Sequence, residues 1–470
     1  MFASSNYIKL LPSVPQISKP KAPQVTSLIS AIFLLSLPLF PLLTIMRKIV
    51  FGSWSGGFTY LYTGSITIHT LIVAIISLIL VNIALYISLE IINRQHNLSL
   101  AICFLVGFII QIIIFSLAPH SYSQIINSNT ANSFYTPVFL YDLSDLLGDF
   151  NSSLSRMEIH TSANMPGKII TFYALNYLTS SPEIIGYLIT LISSLGSLLV
   201  FFISENIFKN SKTALLAMFF YLLIPSKQLF LPLLNTITPV LILFPFMLFL
   251  SFLKTQKPST GFLFGLSLFL LFMYEPTPLM LLLSLVPVTI FQLNRHQIAI
   301  KKLIKFSSLS MAVFSLCVIS LIHKYNYNPI TTMAMMVKRA YVFNQLNNRP
   351  CNVWLLDNLK DLFITSGPAQ STAFLILALS ALSSLSAKNR SRKSIELLAL
   401  STFGVIILIN FMMINCGETI RLWIFLSVFV NVFAAYSISK LLSVKTWHWI
   451  LSITLIQTVV TQSLVNFISP

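Results

Sequence analysis

Apolar runs of spanning or near-spanning length follow one another along the chain at about 27–46, 68–92, 98–118, 183–207, 213–229, 233–253, 260–275, 277–293, 305–323, 370–387, 395–414, 421–440 and 446–467. A helix needs roughly 20 such residues to cross a bilayer. The pattern predicts an all-α polytopic membrane protein of about 13 transmembrane helices (range 11–13). It divides the chain into a loose inner tail at 1–26, two additional N-terminal helices at 27–97, a main module at 98–440 and a last helix at 441–470.

Two long polar intervals interrupt the runs, at 119–182 and 324–369, and both are predicted on the outer face. In the first, TPVFLYDLSDLLGDF puts Phe139, Leu140, Leu143, Leu146, Leu147 and Phe150 at helical spacing, with Asp142, Asp145 and Asp149 opposite. That is an amphipathic helix suited to the membrane surface, with the aspartates as its wet face. The segment KIITFYALNYLT is too short to span and reads as a second interfacial helix. A shorter outer turn, MYEPTP, carries Glu275 between helices, where a turn-capping acid is the ordinary role.

Composition agrees: 56% of residues are hydrophobic and 9% charged, which excludes an ordinary soluble protein. The +17 net charge suggests nucleic acid only until the charges are placed. With the N-terminus inside, 18 of the 29 Lys and Arg fall on short inner segments, as the positive-inside rule requires. Basic charge then meets anionic lipid headgroups, and no nucleic-acid partner is needed. Arg47 and Lys48 break the rule in the outer segment RKIVFGSWSGGFTYLYTG. The four cysteines form no disulfide framework. Cys103 and Cys317 lie in apolar runs as small hydrophobes, whereas Cys351 and Cys416 both fall on the predicted outer side. No cleavable signal peptide is evident, and the first apolar run reads as a signal anchor.

Scarce ionisable groups concentrate outside. The first polar interval holds Asp142, Asp145, Asp149 and Glu158 with His120 and His160. The second holds Lys338, Arg339, Arg349, Asp357 and Asp361, and the last outer turn, NCGETIRLW, holds Glu418 and Arg421. Groups this costly in a membrane protein are commonly functional. A carboxylate or imidazole can take a proton from a hydroxyl, and arginine's planar fork can bind two phosphate oxygens. One predicted face supplies both, beside lipid.

In this arrangement the chain resembles the GT-C superfamily of integral-membrane glycosyltransferases, which includes protein O-mannosyltransferases, aminoarabinose transferases of lipid A and bacterial family-39-like enzymes. The resemblance covers roughly residues 98–440. It rests on a third-helix exit into a large first outer loop, and on IHTSANMPGK, which looks like a His-Pro-Pro-Gly-type element with Met165 at its first proline. It rests also on the inner turn SENIFKNSK and on NNRPCNVW and GETIRLW. It implies transfer of a sugar from a polyprenyl-phosphate donor to a glycan, lipid or protein acceptor on the outer, periplasmic-type face of a bacterial inner membrane, with an acid of the first loop as base.

Under that reading the catalytic candidates are Asp142, Asp145, Glu158 and His160. The donor-phosphate candidates are Arg421, Arg349, Arg339 and Lys168, with Glu418 and Glu275 as further outer-face acids. Lys168 also fits a snorkelling role at the headgroups. The superfamily admits a divalent metal, but no His/Asp cluster here has ligand spacing, so no metal site is assigned. The family's early loop aspartate is replaced by Asn129 and Thr130 in SNTANSFY. Either the base has moved or the chain is a noncatalytic relative. A transporter or flippase is the other alternative, disfavoured because neither clear repeats nor mid-helix ionisable groups are seen.

Overall fold

The computed structural model describes residues 37–153, 158–385 and 393–470. The expected tail at 1–26, the first half of the run at 27–46, and the basic residues Lys388, Arg390 and Arg392 lie outside the described residues.

Among the described residues eight helices are long and apolar enough to cross a membrane: Ile68–Ile91, His96–Phe115, Pro182–Phe208, Leu234–Thr255, Thr277–Asn294, Ile300–Tyr325, Ser394–Phe411 and Ile424–Leu441. A ninth appears if Cys351–Thr365 and Pro368–Leu382, which meet at 113°, are one broken span. The expected 13 reduce to these because several runs are interrupted or short. The run at 213–229 becomes the helix Ser211–Leu222 and a separate turn, Pro225–Leu229. Proline disfavours the α conformation of the residue before it, and Ile224 is accordingly non-helical at ψ 121°. The run at 260–275 forms a 15-residue helix, Thr260–Tyr274. At 1.5 Å per residue it reaches about 22 Å, short of the roughly 30 Å hydrocarbon layer. The last run forms Val444–Leu464, a full-length helix in which Lys445, His448, Gln457 and Gln462 dilute the apolar character.

The centre of the bundle is the pair Ser211–Leu222 and Ile424–Leu441, buried on nearly every face. Helices that are apolar all round belong in such a position. Ile300–Tyr325 lies at the edge and exposes Ile304, Met311, Leu316 and Ile319, side chains suited to lipid contact.

The first long polar interval folds as short pieces. The expected amphipathic helix divides into Pro137–Leu140, Leu143–Gly148 and Phe150–Ser153, because Tyr141 and Asp142 are extended. Its apolar face is half used: Leu146, Leu147 and Phe150 are buried, while Phe139 and Leu140 are exposed. The second expected interfacial helix is present as Gly167–Leu178. It packs so closely on the end of Thr260–Tyr274 that a Cβ at Gly167 would lie 2.4 Å from the Met273 carbonyl oxygen.

Beside that contact, Lys168 is 1% exposed and its Nζ lies 3.4 Å from Glu275 Oε2. Nζ also donates to Asn164 Oδ1 at 2.9 Å, and Thr238 Oγ1 donates to Glu275 Oε2 at 2.7 Å. Lys168 therefore does not snorkel to the headgroups; it joins the loop to the bundle.

The segment expected merely to link the first two helices forms a hairpin, Gly52–Ser53 with Phe58–Thr59. Trp354 Nε1 donates to the Gly56 carbonyl at 2.9 Å, and the Asp361 carboxylate accepts the Gly52 amide at 3.0 Å. Leu61–Tyr62 then pairs antiparallel with Val465–Asn466. These bonds tie the hairpin to the helix Cys351–Thr365 and the following strand to the C-terminal segment.

Breaking a buried ion pair from one side leaves a charge without compensation and costs about 3–5 kcal/mol. Lys168→Met is expected to lower the melting temperature in detergent sharply, and Lys168→Met with Glu275→Gln to regain most of the loss. Equal melting temperatures for wild type and Lys168→Met would show that the pair does not hold the loop.

Candidate functional site

The helix Pro329–Leu346 ends at a left-handed Asn348, φ 50°, which turns the next residue back toward the bundle. That residue is Arg349, with its guanidinium 4.9 Å from the Phe58 ring centre and 4.8 Å from that of Phe343. Nη1 donates to the Cys416 carbonyl at 2.8 Å. Two aromatic faces and a carbonyl thus orient a cation that is 9% exposed.

The turn that meets it is tied down by amides. Asn344 Nδ2 donates to the Met413 and Ile414 carbonyls at 3.2 Å, and Asn358 Nδ2 to that of Asn415 at 2.9 Å. Gly417 has φ +86°, and a Cβ there would lie 2.9 Å from Arg349 Nη1, so the position needs glycine on both counts. Glu418 is left-handed as well, φ 56°, an uncommon conformation for a residue with a side chain. The conformation aims its carboxylate between two cations. Oε1 lies 3.6 Å from Arg349 Nη2, and Oε2 pairs with Arg421 Nη2. Burial alone would raise the Glu418 pKa, but Arg421, His160 and Arg349 outweigh it and hold the carboxyl below its ordinary value.

One carboxylate serves two guanidiniums and does not saturate them. Arg421 Nε, Arg349 Nε, Thr419 Oγ1 and the Tyr60 hydroxyl are all buried without a hydrogen-bond partner among the described residues. Tyr60 senses Glu418, Arg421, Asp361 and Arg349 electrostatically; burial first, then Glu418, keeps its phenol protonated as a donor. A buried donor left unpaired costs about 1–3 kcal/mol, so four around one pair of cations mark a place that an acceptor-rich anion would satisfy.

His160 closes the group from the first loop. Burial, then the Arg421 cation, brings its pKa down to about 4, against the pull of Glu418. Its ring also bonds to the Thr130 backbone. Thr130 further lines an open depression of about 340 Å³ with His120, Gln124, Ser128 and Asn129. The stretch SNTANSFY is therefore in contact with His160.

Of the residues singled out from sequence, Arg421, Arg349, Glu418 and His160 come together, and Lys168 with its partner Glu275 adjoins them through the field Lys168 shares with Arg421 and His160. Arg339 lies at the edge, Nη1 donating to the Ser162 carbonyl at 3.3 Å. Asp142 and Asp145 are exposed at the start of Leu143–Gly148, and neither makes an ion pair within 4 Å among the described residues. Asp142 is felt instead at the Tyr173 hydroxyl. Glu158 is exposed. Tyr60, Phe58, Phe343 and Thr419 were not anticipated. The one sequence signal for the hairpin was its glycine-punctuated GSWSGGFTY, with Arg47 and Lys48 just before it. Among the described residues no group of three or more His, Cys, Asp or Glu side chains converges as a metal site.

Compared with known proteins, the chain matches no family model and no curated protein.

The site sets a pH dependence. His160 has a folded pKa of about 4 against an ordinary 6.5, so the unfolded chain takes up its proton first as pH falls. Stability is fully present above about 6.5 and declines through the window down to about 4. Glu418, held low, adds loss at the acid end in the same direction. Melting temperature measured across this range is expected to fall with acid in the wild type and to fall less steeply in His160→Gln. A slope unchanged by the substitution would contradict the buried placement of the imidazole.

Proposed function

We propose that the protein is a membrane glycosyltransferase of GT-C type, moving a sugar from a polyprenyl-phosphate donor to an acceptor on the outer face of a bacterial inner membrane. The observation that carries this reading is the set of unpaired buried donors around Arg349 and Arg421. A phosphate offers several strong acceptor oxygens and matches the guanidinium fork. Its charge would also balance the positive charge that Glu418 leaves over.

In the proposed reaction the acceptor hydroxyl oxygen bonds to the anomeric carbon as the bond from that carbon to the phosphate oxygen breaks. The leaving phosphate keeps the electron pair, and Arg421 and Arg349 stabilise the charge that develops on it. The acceptor's proton passes to a base of the first outer loop. His160 is the loop candidate beside the cations: neutral at ordinary pH, it can accept a proton, and an anion bound near Arg421 would make it more basic. Asp142 and Asp145, on the exposed helix of the same loop, are the alternatives. The acceptor is a glycan, lipid or protein, and the donor tail lies in the surrounding lipid.

A transport reading draws support from one observation. Lys227 is wholly buried, donates from Nζ to Gln111 Oε1 at 2.7 Å and lies 4.7 Å from the Tyr221 ring centre, with no carboxylate within 4 Å among the described residues. Cations so placed commonly line ion or substrate pathways.

The transferase reading predicts that purified protein transfers sugar from a polyprenyl-phosphate donor. It predicts a loss of roughly 100-fold or more in Arg421→Ala, the scale of removing one charge-stabilising donor, with Arg421→Lys only partly restored. His160→Gln is expected to reduce turnover more than donor binding, and Asp142→Asn with Asp145→Asn to leave turnover near wild type. Loss of turnover in that last variant with His160→Gln active would move the base to the aspartates. Wild-type protein that transfers no sugar but carries a flux abolished by Lys227→Met would replace the enzyme by a transporter.

A further inference from the structure

Cys351 and Cys416 stand far apart in sequence, and the fold brings them together. Cys351 opens the helix Cys351–Thr365 and is exposed, whereas Cys416 lies in the turn before Gly417 and is 2% exposed. The backbone is fastened on either side of them. Two residues before Cys351, Arg349 Nη1 donates to the Cys416 carbonyl at 2.8 Å. One turn after it, the Trp354 ring packs against Gly417, where an added Cβ would meet it at 3.3 Å. Cys416 Sγ lies 3.5 Å from the Met413 carbonyl, and the two thiols are within hydrogen-bonding reach of each other. Both are free thiols, one open to solvent and one behind it.

We propose that Cys351 and Cys416 are a redox modification site, closing to a disulfide by exchange with a disulfide-bearing oxidant and so stapling the Glu418 and Arg421 turn to the helix Cys351–Thr365. In the first step the exposed Cys351 thiolate attacks one sulfur of the oxidant, whose S–S bond breaks and releases one thiol. In the second, the Cys416 thiolate attacks the Cys351 sulfur of the mixed disulfide, forming the internal bond and releasing the second thiol. The protein loses two electrons and two protons, and the oxidant is reduced to two thiols. In the reduced pair, burial first and then the adjacent Cys351 push the Cys416 thiol up to about 12, against the pull of Arg349. Once Cys351 is capped, burial still disfavours the Cys416 thiolate, so the second step quickens in alkali. The inference stands apart from the transferase reading, since it needs only the two cysteines and the chain around them.

The test is incubation of the full-length protein in detergent with glutathione disulfide, alkylation of remaining thiols, digestion without reductant and mass spectrometry. The expected product is a linked peptide pair containing Cys351 and Cys416, short of two hydrogens and formed faster in alkali. Cys416→Ser is expected to stop at a glutathione adduct on Cys351, and Cys351→Ser to leave Cys416 unmodified. A wild-type adduct that persists on Cys351 in alkali, links through Cys103 or Cys317 instead, or no oxidation of either thiol would each overturn the proposal.

Discussion

A buried guanidinium and a half-buried one share one carboxylate, and the loops around them are organised around that imbalance. Arg349 and Arg421 both pair with Glu418, which leaves one positive charge uncompensated and several donors unpaired. Charge in a low-dielectric setting is costly unless paired and hydrogen-bonded. The fold meets the cost in part with aromatic faces and carbonyls around Arg349, and leaves the remainder open. An incompletely satisfied polar cluster is a poor way to stabilise a protein and a good way to bind an anion.

The surrounding elements make this arrangement rigid. The hairpin at Gly52–Thr59 supplies Phe58 and is itself held through Trp354 and Asp361. Asn344 and Asn358 clamp the turn before Glu418, and Gly417 admits Arg349 where any side chain would collide. On the loop side, the Lys168–Glu275 pair fixes the start of Gly167–Leu178, just after the residues that carry His160. Four separate chain segments are thereby fixed around one charged cluster.

The predominantly helical character, with several helices long and apolar enough to cross a membrane, was legible from the apolar runs alone, because spanning length is a composition property. The number of spans was less so: a proline at 225 ends a helix within a continuous apolar run, and the helix Thr260–Tyr274 is as apolar as its neighbours but too short. Arg421, Glu418, Arg349 and His160 were visible as rare ionisable groups in polar intervals. Their convergence was not, since it depends on left-handed turns at Asn348 and Glu418 that no periodicity reveals. Tyr60 was hidden for the opposite reason, being an ordinary aromatic in a segment that read as a linker. Asp142 and Asp145 show how far spacing reaches: both are exposed, but the single helix expected to carry them is broken at the extended Tyr141 and Asp142.

The central claim is that the Arg349 and Arg421 cluster holds a lipid-linked phosphate. It is tested most directly by native mass spectrometry of the purified protein with polyprenyl phosphate and with the uncharged polyprenol of equal length. The account predicts that the phosphate binds well ahead of the alcohol and that Arg421→Ala removes this preference while the protein stays folded. Equal binding of the two lipids by the wild type, or a preference unchanged in Arg421→Ala, would contradict it.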